Sequence, residues 1–351
     1  MQTNKDVTRD DRETASLLDS SGACPYGFKR SESFDYTTYN RFIRDYIPVM
    51  MRRKRKWEVL LTKSRGVPEA GSKIKRFIRK GVPLEFRAQV WLSVSGAEGE
   101  INNKPNYYAE MLRAENDPDV LQRIELDVLR TFPENVHFQE EAEDTQVTPL
   151  RNVLAAYANH NPTVGYCQGM NFVTGILLLV TKNEEQSFWL LDSLIGHRVP
   201  SSYYSTGMEG LQTDHFVLHS LLLKRTPRLV GHLQQHQIDL QVVTSRWFIC
   251  LFVDVLPIET LLRVWDCLFL EGEKILFRVA VTLAVNHQHD ILSQPSFINT
   301  INAFKNIAKG YDVLNCHHFI NEIFTIPGSF PQRRITEARA AYQSKRSPKS
   351  Q

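Results

Sequence analysis

The chain has 351 residues, of which 42% are hydrophobic, 10% aromatic and 23% charged, with a formal net charge of +3. These values exclude a disordered, collagenous or fibrous chain and allow a sizeable core, in two or three domains or in one large helical domain. The longest apolar stretch, residues 172–181, has ten residues where a membrane span needs roughly twenty, and the polar N-terminus has no apolar signal core, so a cytoplasmic protein is expected.

Five cysteines, Cys24, Cys167, Cys250, Cys267 and Cys316, are widely spaced, odd in number and without a CxxC pair. That usage fits reduced thiols and offers no zinc-ligand spacing. His215 and His219, like His232 and His236, stand four apart. No acidic residue completes a metal motif between them, so they read as helix-surface or core histidines.

Residues 1–36 read as a disordered or loosely packed arm. An N-terminal helical and basic segment, 37–75, follows. Its helical patterning runs over 38–63 through Tyr39, Phe42, Ile43, Tyr46, Trp57, Leu60 and Leu61, and a linker at 64–72 holds Gly66, Pro68 and Gly71. Between Arg52 and Lys80 lie twelve Lys or Arg against Glu58 and Glu69, a local net charge of +10 in a chain that totals +3. Such a run is either a solvated helix face with a basic loop or a surface for an acidic protein or anionic lipid. RRKRK at 52–56 also looks like a nuclear-import signal. Nucleic acid is not expected as a partner, because no stacking aromatics or groove-reading motif accompany the charge.

After Gly81-Val82-Pro83 a helix is predicted over 84–95, with Phe86, Val90 and Val94 as its apolar stripe. The next are at 106–115 and at 118–132, the latter with Asp117 as N-cap and Pro118 in its first turn. An acidic loop with five carboxylates spans 134–144. A helix opens at Thr148-Pro149, runs through Tyr157 and ends at Asn161-Pro162. The loop 163–167 leads into an apolar helix that ends near 181. Further helices fit 184–196, 208–225, 227–237, 242–254, 258–270, 274–289, 297–308, 312–325 and 331–344, before a disordered tail. Alternating runs are few, Asn-Gly and Asp-Gly turns are absent, and no repeat of 30–50 residues appears. The chain is therefore expected to be all-α, an irregular bundle of about fourteen helices. Trp91, Trp189, Trp247 and Trp265 fall inside apolar patterns and are expected in its core.

There is no P-loop and no strand-linked GxGxxG, so the chain is not expected to bind a nucleotide by itself. GYCQG, 165–169, fits a cysteine version of the nucleophile elbow, but that elbow needs a strand before it and a helix stands there instead. In IELDVLRTFPEN, 124–135, Leu121, Ile124 and Val128 form one helical stripe, which Leu126 and Leu129 widen. Asp127 and Arg130 are three apart on the more polar side, the spacing of an intrahelical ion pair.

RKGVPLEFRAQVW (79–91), IELDVLRT (124–131), GYCQGMNF (165–172) and the block 245–272 occur in this order with this spacing. Together they resemble the successive signature motifs of TBC domains, the GTPase-activating domains that act on Rab GTPases. The resemblance covers residues 76–330, leaving 331–351 as a C-terminal helix and tail. It implies an all-α TBC domain of two helical subdomains. It also implies a catalytic arginine, Arg130, from an IxxDxxR motif, and a catalytic glutamine, Gln168, from a YxQ motif. Asp127 would hold Arg130 ready, Tyr166 and Asn171 would fix the glutamine loop or touch the partner, and Arg87 would pair with an internal carboxylate or contact the GTPase. The implied partner is a Rab-family GTPase in its GTP-bound state. No cofactor is expected in this chain, GTP and magnesium belonging to the partner, and the basic segment offers a peripheral contact with anionic membrane. The competing reading is a non-catalytic helical scaffold that recognises a GTPase, which would have no need of an intact Arg130 and Gln168.

Overall fold

The structure, a computed structural model, describes residues 23–30, 34–139, 142 and 144–346. Most of the polar arm, Glu140, Glu141 and Glu143 of the acidic loop, and the last five residues of the tail lie outside the described residues. Among those described there are nineteen α-helices and, apart from three isolated β-bridges, no strand pairing.

Helix α1 (Tyr36–Ser64) starts where Asp35 accepts the Thr38 N–H at 2.9 Å, satisfying one donor of its first turn. Tyr39, Phe42, Ile43, Ile47, Trp57 and Leu60 turn inward, while Arg41, Arg52, Arg55, Lys56 and Lys63 are exposed. The helix is thus amphipathic with a cationic outer face. Its first half builds a small core of its own, in which Tyr39, Phe42, Ile43 and Ile47 pack around Cys316. Residues 72–80 were expected as the linker's end and a basic loop but form α2 (Ser72–Lys80). Ile74 and Ile78 are four apart and both buried, and Phe77 meets Trp57 edge-on at 5.5 Å, so three apolar residues fix a helix whose other face is basic.

The helices then fall into two groups. The first comprises α3 (Arg87–Ser95), α4 (Ala97–Asn103), α5 (Tyr107–Arg113), α6 (Pro118–Val128), α7 (Val147–His160), α8 (Met170–Thr181) and α9 (Glu184–Leu194). The second comprises α10 (Glu209–Arg225), α11 (Pro227–Gln235), α12 (Leu240–Ile249), α13 (Ile258–Glu271), α14 (Lys274–Asn286), α15 (Gln288–Leu292), α16 (Phe297–Lys305), α17 (Tyr311–Leu314), α18 (Cys316–Thr325) and α19 (Gln332–Arg346). Within the first group α7 and α8 pack on each other and on α9; within the second, α10 packs on α12, α14 and α19. The groups meet where α13 lies against α2 and α3.

That junction is organised around one carboxylate. Asp266 is fully buried and accepts from Arg87 Nε at 3.0 Å and Trp91 Nε1 at 2.9 Å. Arg87 completes its donors on the Val82 carbonyl at 2.9 Å and the Tyr26 hydroxyl. A buried charge is tolerable only when paired and hydrogen-bonded in this way. Trp91 packs on Phe269 with ring centroids 4.7 Å apart and the planes tilted by 34°, and all four of the tryptophans expected in the core are buried. Arg79 closes the edge of the junction with two bonds to Glu271, at 2.6 and 2.7 Å. At the far end of the chain Arg339 ties α19 to Asp214 and Glu273 with four bonds of 2.6–2.8 Å.

Candidate functional site

The site is built on two loops from the first group. Helix α6 ends at Val128 and the chain turns: Arg130 N–H donates to Asp127 O at 3.3 Å and Thr131 N–H to Val128 O at 3.1 Å. Phe132 then takes a left-handed backbone, φ +51°, unfavourable for a residue with a Cβ. Its ring is buried with Phe28, Phe138 and Phe172 around it, at centroid distances of 5.0, 5.3 and 5.6 Å. Arg130 is therefore displayed on a turn whose exit is anchored in the core. Its side chain is 58% exposed and lies along Asp127, with Nε 2.8 Å and Nη2 2.5 Å from Oδ1. The Asp127 side chain is only 5% exposed, and its other oxygen, Oδ2, accepts the Tyr166 hydroxyl at 2.5 Å. Burial, reinforced by the bond to Asp127 and its charge, pushes the Tyr166 pKa far above its ordinary value. Tyr166 is thus a fixed donor near neutral pH.

The second loop joins α7 to α8. Asn161 O accepts from Val164 N–H at 3.1 Å and Gly165 N–H at 2.8 Å, which turns the chain so that Tyr166 points inward while Gln168 stands exposed. Among the described residues no hydrogen-bond partner holds the Gln168 carboxamide. Gly169 has φ +111°, and a Cβ there would lie 2.4 Å from Ile249 Cγ2 on α12. Only glycine supplies both the conformation and the clearance. Asn171 is fully buried: its Oδ1 accepts the Gly169 N–H at 3.0 Å and its Nδ2 donates to Thr131 Oγ1 at 2.8 Å. Thr131 Oγ1 in turn donates to Asp127 O at 2.6 Å. Three bonds, Tyr166 to Asp127 and Asn171 to Thr131 Oγ1 and, at 3.5 Å, to Asp127 O, therefore stitch the arginine turn to the glutamine loop and the first turn of α8.

Of the residues singled out in the sequence, Asp127, Arg130, Tyr166 and Asn171 are joined by these bonds, and Gln168 is on the same loop as Tyr166. Arg87 is elsewhere. Of its two expected roles the structure gives the internal one: it is buried and paired with Asp266, out of reach of a protein partner. Leu126 and Leu129 were expected to widen the buried stripe of α6 but are 62% and 63% exposed. They lie about 200° and 140° round the helix axis from the buried Ile124, so they face outward. Thr131, Phe132 and Phe172 were not foreseen, and neither was Arg246, whose guanidinium lies 5.2 Å from the Phe172 ring centroid and 2.6 Å from Asp254.

Cys167 does not behave as a nucleophile. Burial raises its pKa, its own N–H rests on Met170 Sδ at 3.3 Å, and among the described residues no histidine is hydrogen-bonded to its sulfur. The segment before it is helix α7 and a turn, not a strand. His215 is buried against Phe248 at 5.7 Å, and the His232 and His236 rings meet at 4.5 Å. Among the described residues no group of three or more His, Cys, Asp or Glu is placed to hold a metal.

Residues 84–292 match the Rab-GTPase-TBC domain family, and the chain belongs to that family. It is similar along nearly its whole length to Growth hormone-regulated TBC protein 1 of Homo sapiens, at 46% identity over 321 residues, 92% of this chain and 95% of that protein. The same protein of Xenopus laevis is 47% identical over 315 residues, 90% of this chain and 92% of that one. Among solved structures, the Chlamydomonas flagellar RabGAP TBC domain superposes with a TM-score of 0.72 at 30% identity, covering 85% of this chain and 98% of that one. The Ypt/Rab-GAP domain of Gyp1p shares the fold at a TM-score of 0.68 and 20% identity, covering 79% and 98%.

Proposed function

We propose that this protein accelerates GTP hydrolysis on a GTP-bound Rab-family GTPase by supplying two side chains in trans, Arg130 as an arginine finger and Gln168 as a glutamine finger. The observation that carries the reading is the pair of stitched loops: an exposed guanidinium held by a buried carboxylate, and an exposed carboxamide on the neighbouring loop. Family membership gives the class of partner.

The chemistry needs an attacking water in line with the γ-phosphate and positive charge where negative charge develops on the phosphate oxygens. A guanidinium brought to that position is worth about 10³–10⁵ in rate, or roughly 4–7 kcal/mol of barrier. Arginine suits it because its charge is permanent and its planar fork offers several donors, whereas lysine keeps the charge and loses the fork. Asp127 presets the rotamer through a charge-assisted bond, so less freedom is lost when the partner docks. The Gln168 amide can accept from the water and donate to a phosphate oxygen, which orients the nucleophile. GTP and magnesium come with the partner. The same reading places the protein in the cytoplasm with a peripheral contact to anionic membrane through its basic face. A non-catalytic scaffold would use neither finger, and no feature of the site favours it.

The test is phosphate release from a panel of purified GTP-loaded Rab GTPases, with and without this protein. At least one should be accelerated, and Arg130→Ala and Arg130→Lys should each lose about 10³-fold or more with unchanged folding. Gln168→Ala should abolish acceleration of a GTPase whose own switch glutamine has been replaced. Near-normal acceleration by either Arg130 variant removes that residue from the mechanism.

A further inference from the structure

Residues 23–30 fall in the arm expected to be loose, yet Cys24 and Tyr26 are buried. The segment is a small hairpin in which Gly27 N–H donates to Cys24 O at 2.8 Å and Cys24 N–H to Phe28 O at 2.9 Å. It lies along residues 134–137, immediately past the Arg130 turn. Val136 N–H donates to Gly27 O at 2.9 Å, Lys29 N–H to Glu134 O at 3.1 Å, and Asn135 Nδ2 to Tyr26 O at 2.8 Å. The approach is close enough that a Cβ on Gly27 would meet His137 Cδ2 at 2.5 Å and Asn135 Oδ1 at 2.6 Å.

Both ends of the hairpin are fastened to the body of the molecule. On one side the Tyr26 hydroxyl takes a bond from Arg87, itself fixed by Asp266. On the other, Arg30 pairs with Glu259 at the start of α13 and sits over the Tyr39 ring, 3.9 Å from its centroid. Between these anchors the Phe28 ring stands edge-on to Phe132 at 5.0 Å and 81°. Phe132 is two residues past Arg130 and holds the left-handed conformation that ends the turn. Such a conformation persists only when its surroundings over-determine it. Phe138 and Phe172 supply two of the walls, and Phe28 supplies the third.

We infer that residues 23–30 are a brace for the Arg130 turn, with Phe28 as a positioning residue that acts through Phe132. The brace lies outside residues 84–292, which match the family model. Its consequence for catalysis rests on the proposed role of Arg130. A finger misplaced by about 1 Å loses on the order of 10² in rate, so loosening the turn should lower the rate at saturation more than it weakens docking.

The experiment uses the full chain with Phe28→Ala, Phe28→Leu, Arg130→Ala and the double variant Phe28→Ala/Arg130→Ala. Amide hydrogen exchange is followed residue by residue, and saturation kinetics are measured on an accelerated GTPase. In Phe28→Ala, exchange at residues 129–136 should rise about tenfold or more while α13 and α14 stay protected, and Phe28→Leu should restore part of that protection. The saturating rate should fall about tenfold with KM within about twofold, and Phe28→Ala should cost nothing further on the Arg130→Ala background. Unchanged exchange in the turn, or equal loosening of the whole molecule, overturns the brace. An additive loss on the Arg130→Ala background overturns its action through the finger. If the wild-type chain accelerates no GTPase, the proposed function falls, while arm-dependent protection of the turn still supports the brace.

Discussion

Asp127 spends its two oxygens on different loops, one on Arg130 and one on Tyr166, and this division makes it the hinge pin of the site. Removing the phenol's hydroxyl would leave Oδ2 buried without its donor, a loss of about 1–3 kcal/mol in stability. Tyr166→Phe should therefore lower the thermal midpoint and slow accelerated hydrolysis roughly tenfold, against about 10³ for Arg130→Ala; stopped-flow phosphate release and a melting curve read both, and an unchanged rate would detach Tyr166 from the finger. A second residue makes a pH prediction. Burial lowers the His215 pKa from 6.5 to about 4. Below pH about 6.5 the unfolded chain binds a proton that the folded one refuses. The stabilisation is thus complete above that pH and shrinks as pH falls toward 4, by up to about 3 kcal/mol. Denaturant midpoints at pH 7.5 and 4.5 should differ less in His215→Phe than in wild type, the residual slope including His317, which shifts the same way. At this scale the sequence shows the Asp127–Arg130 pair, because three-residue spacing on a helix makes neighbours. Thr131 and Phe132 are invisible there, because turn contacts have no period. Arg87 is ambiguous for another reason: whether a basic residue faces water or a buried carboxylate 179 positions away is a property of the fold.

The α7–α8 loop owes its shape to one glycine at a close crossing with α12. Gly169→Ala would impose both a strained φ and a 2.4 Å clash with Ile249 Cγ2. The expected result is a loss of about 1–3 kcal/mol in stability and a fall in accelerated hydrolysis as Gln168 is displaced. Adding Ile249→Ala removes the clash and leaves the strain, so the double variant should recover part of both losses; a neutral Gly169→Ala would show that the loop is not set by this contact. Helices with a clear apolar stripe, such as α1 and α6, are legible in the sequence, and so is α8, apolar all round. Their interruptions are less so. The spans predicted over 84–95, 274–289 and 312–325 each break into shorter pieces, the last two at His287 and Asn315. The span 242–254 stops at Ile249, because Leu251, Phe252 and Asp254 adopt positive φ while Phe252 N–H folds back to Trp247 O at 2.8 Å. Burying a cluster of large side chains decides those breaks, and no local propensity records it.

Charge is the property of the whole molecule that the sequence shows as a sum and the fold sorts into roles. Of the twelve cations between Arg52 and Lys80, Arg53 meets His317, Lys54 pairs with Glu85, and Lys75 and Arg79 share Glu271. These four brace α1 and α2 against the rest of the chain. Arg52, Arg55, Lys56 and Lys63 instead project from the outer face of α1, around the exposed Val59, and Lys73, Arg76 and Lys80 from the outer face of α2. A helix face of this kind suits an anionic bilayer, where each cation near the surface contributes about 1 kcal/mol and the attraction fades within a Debye length. Replacing Arg52, Arg55, Lys56 and Lys63 by Gln should reduce cosedimentation with vesicles containing phosphatidylserine by tenfold or more at low salt. It should leave hydrolysis on a soluble GTPase within about twofold of wild type, because none of the four touches the two loops of the site. Raising the salt should weaken the wild-type protein's binding toward that of the variant. Equal vesicle binding by the two proteins would mean that the outer face of α1 is only a solvated surface.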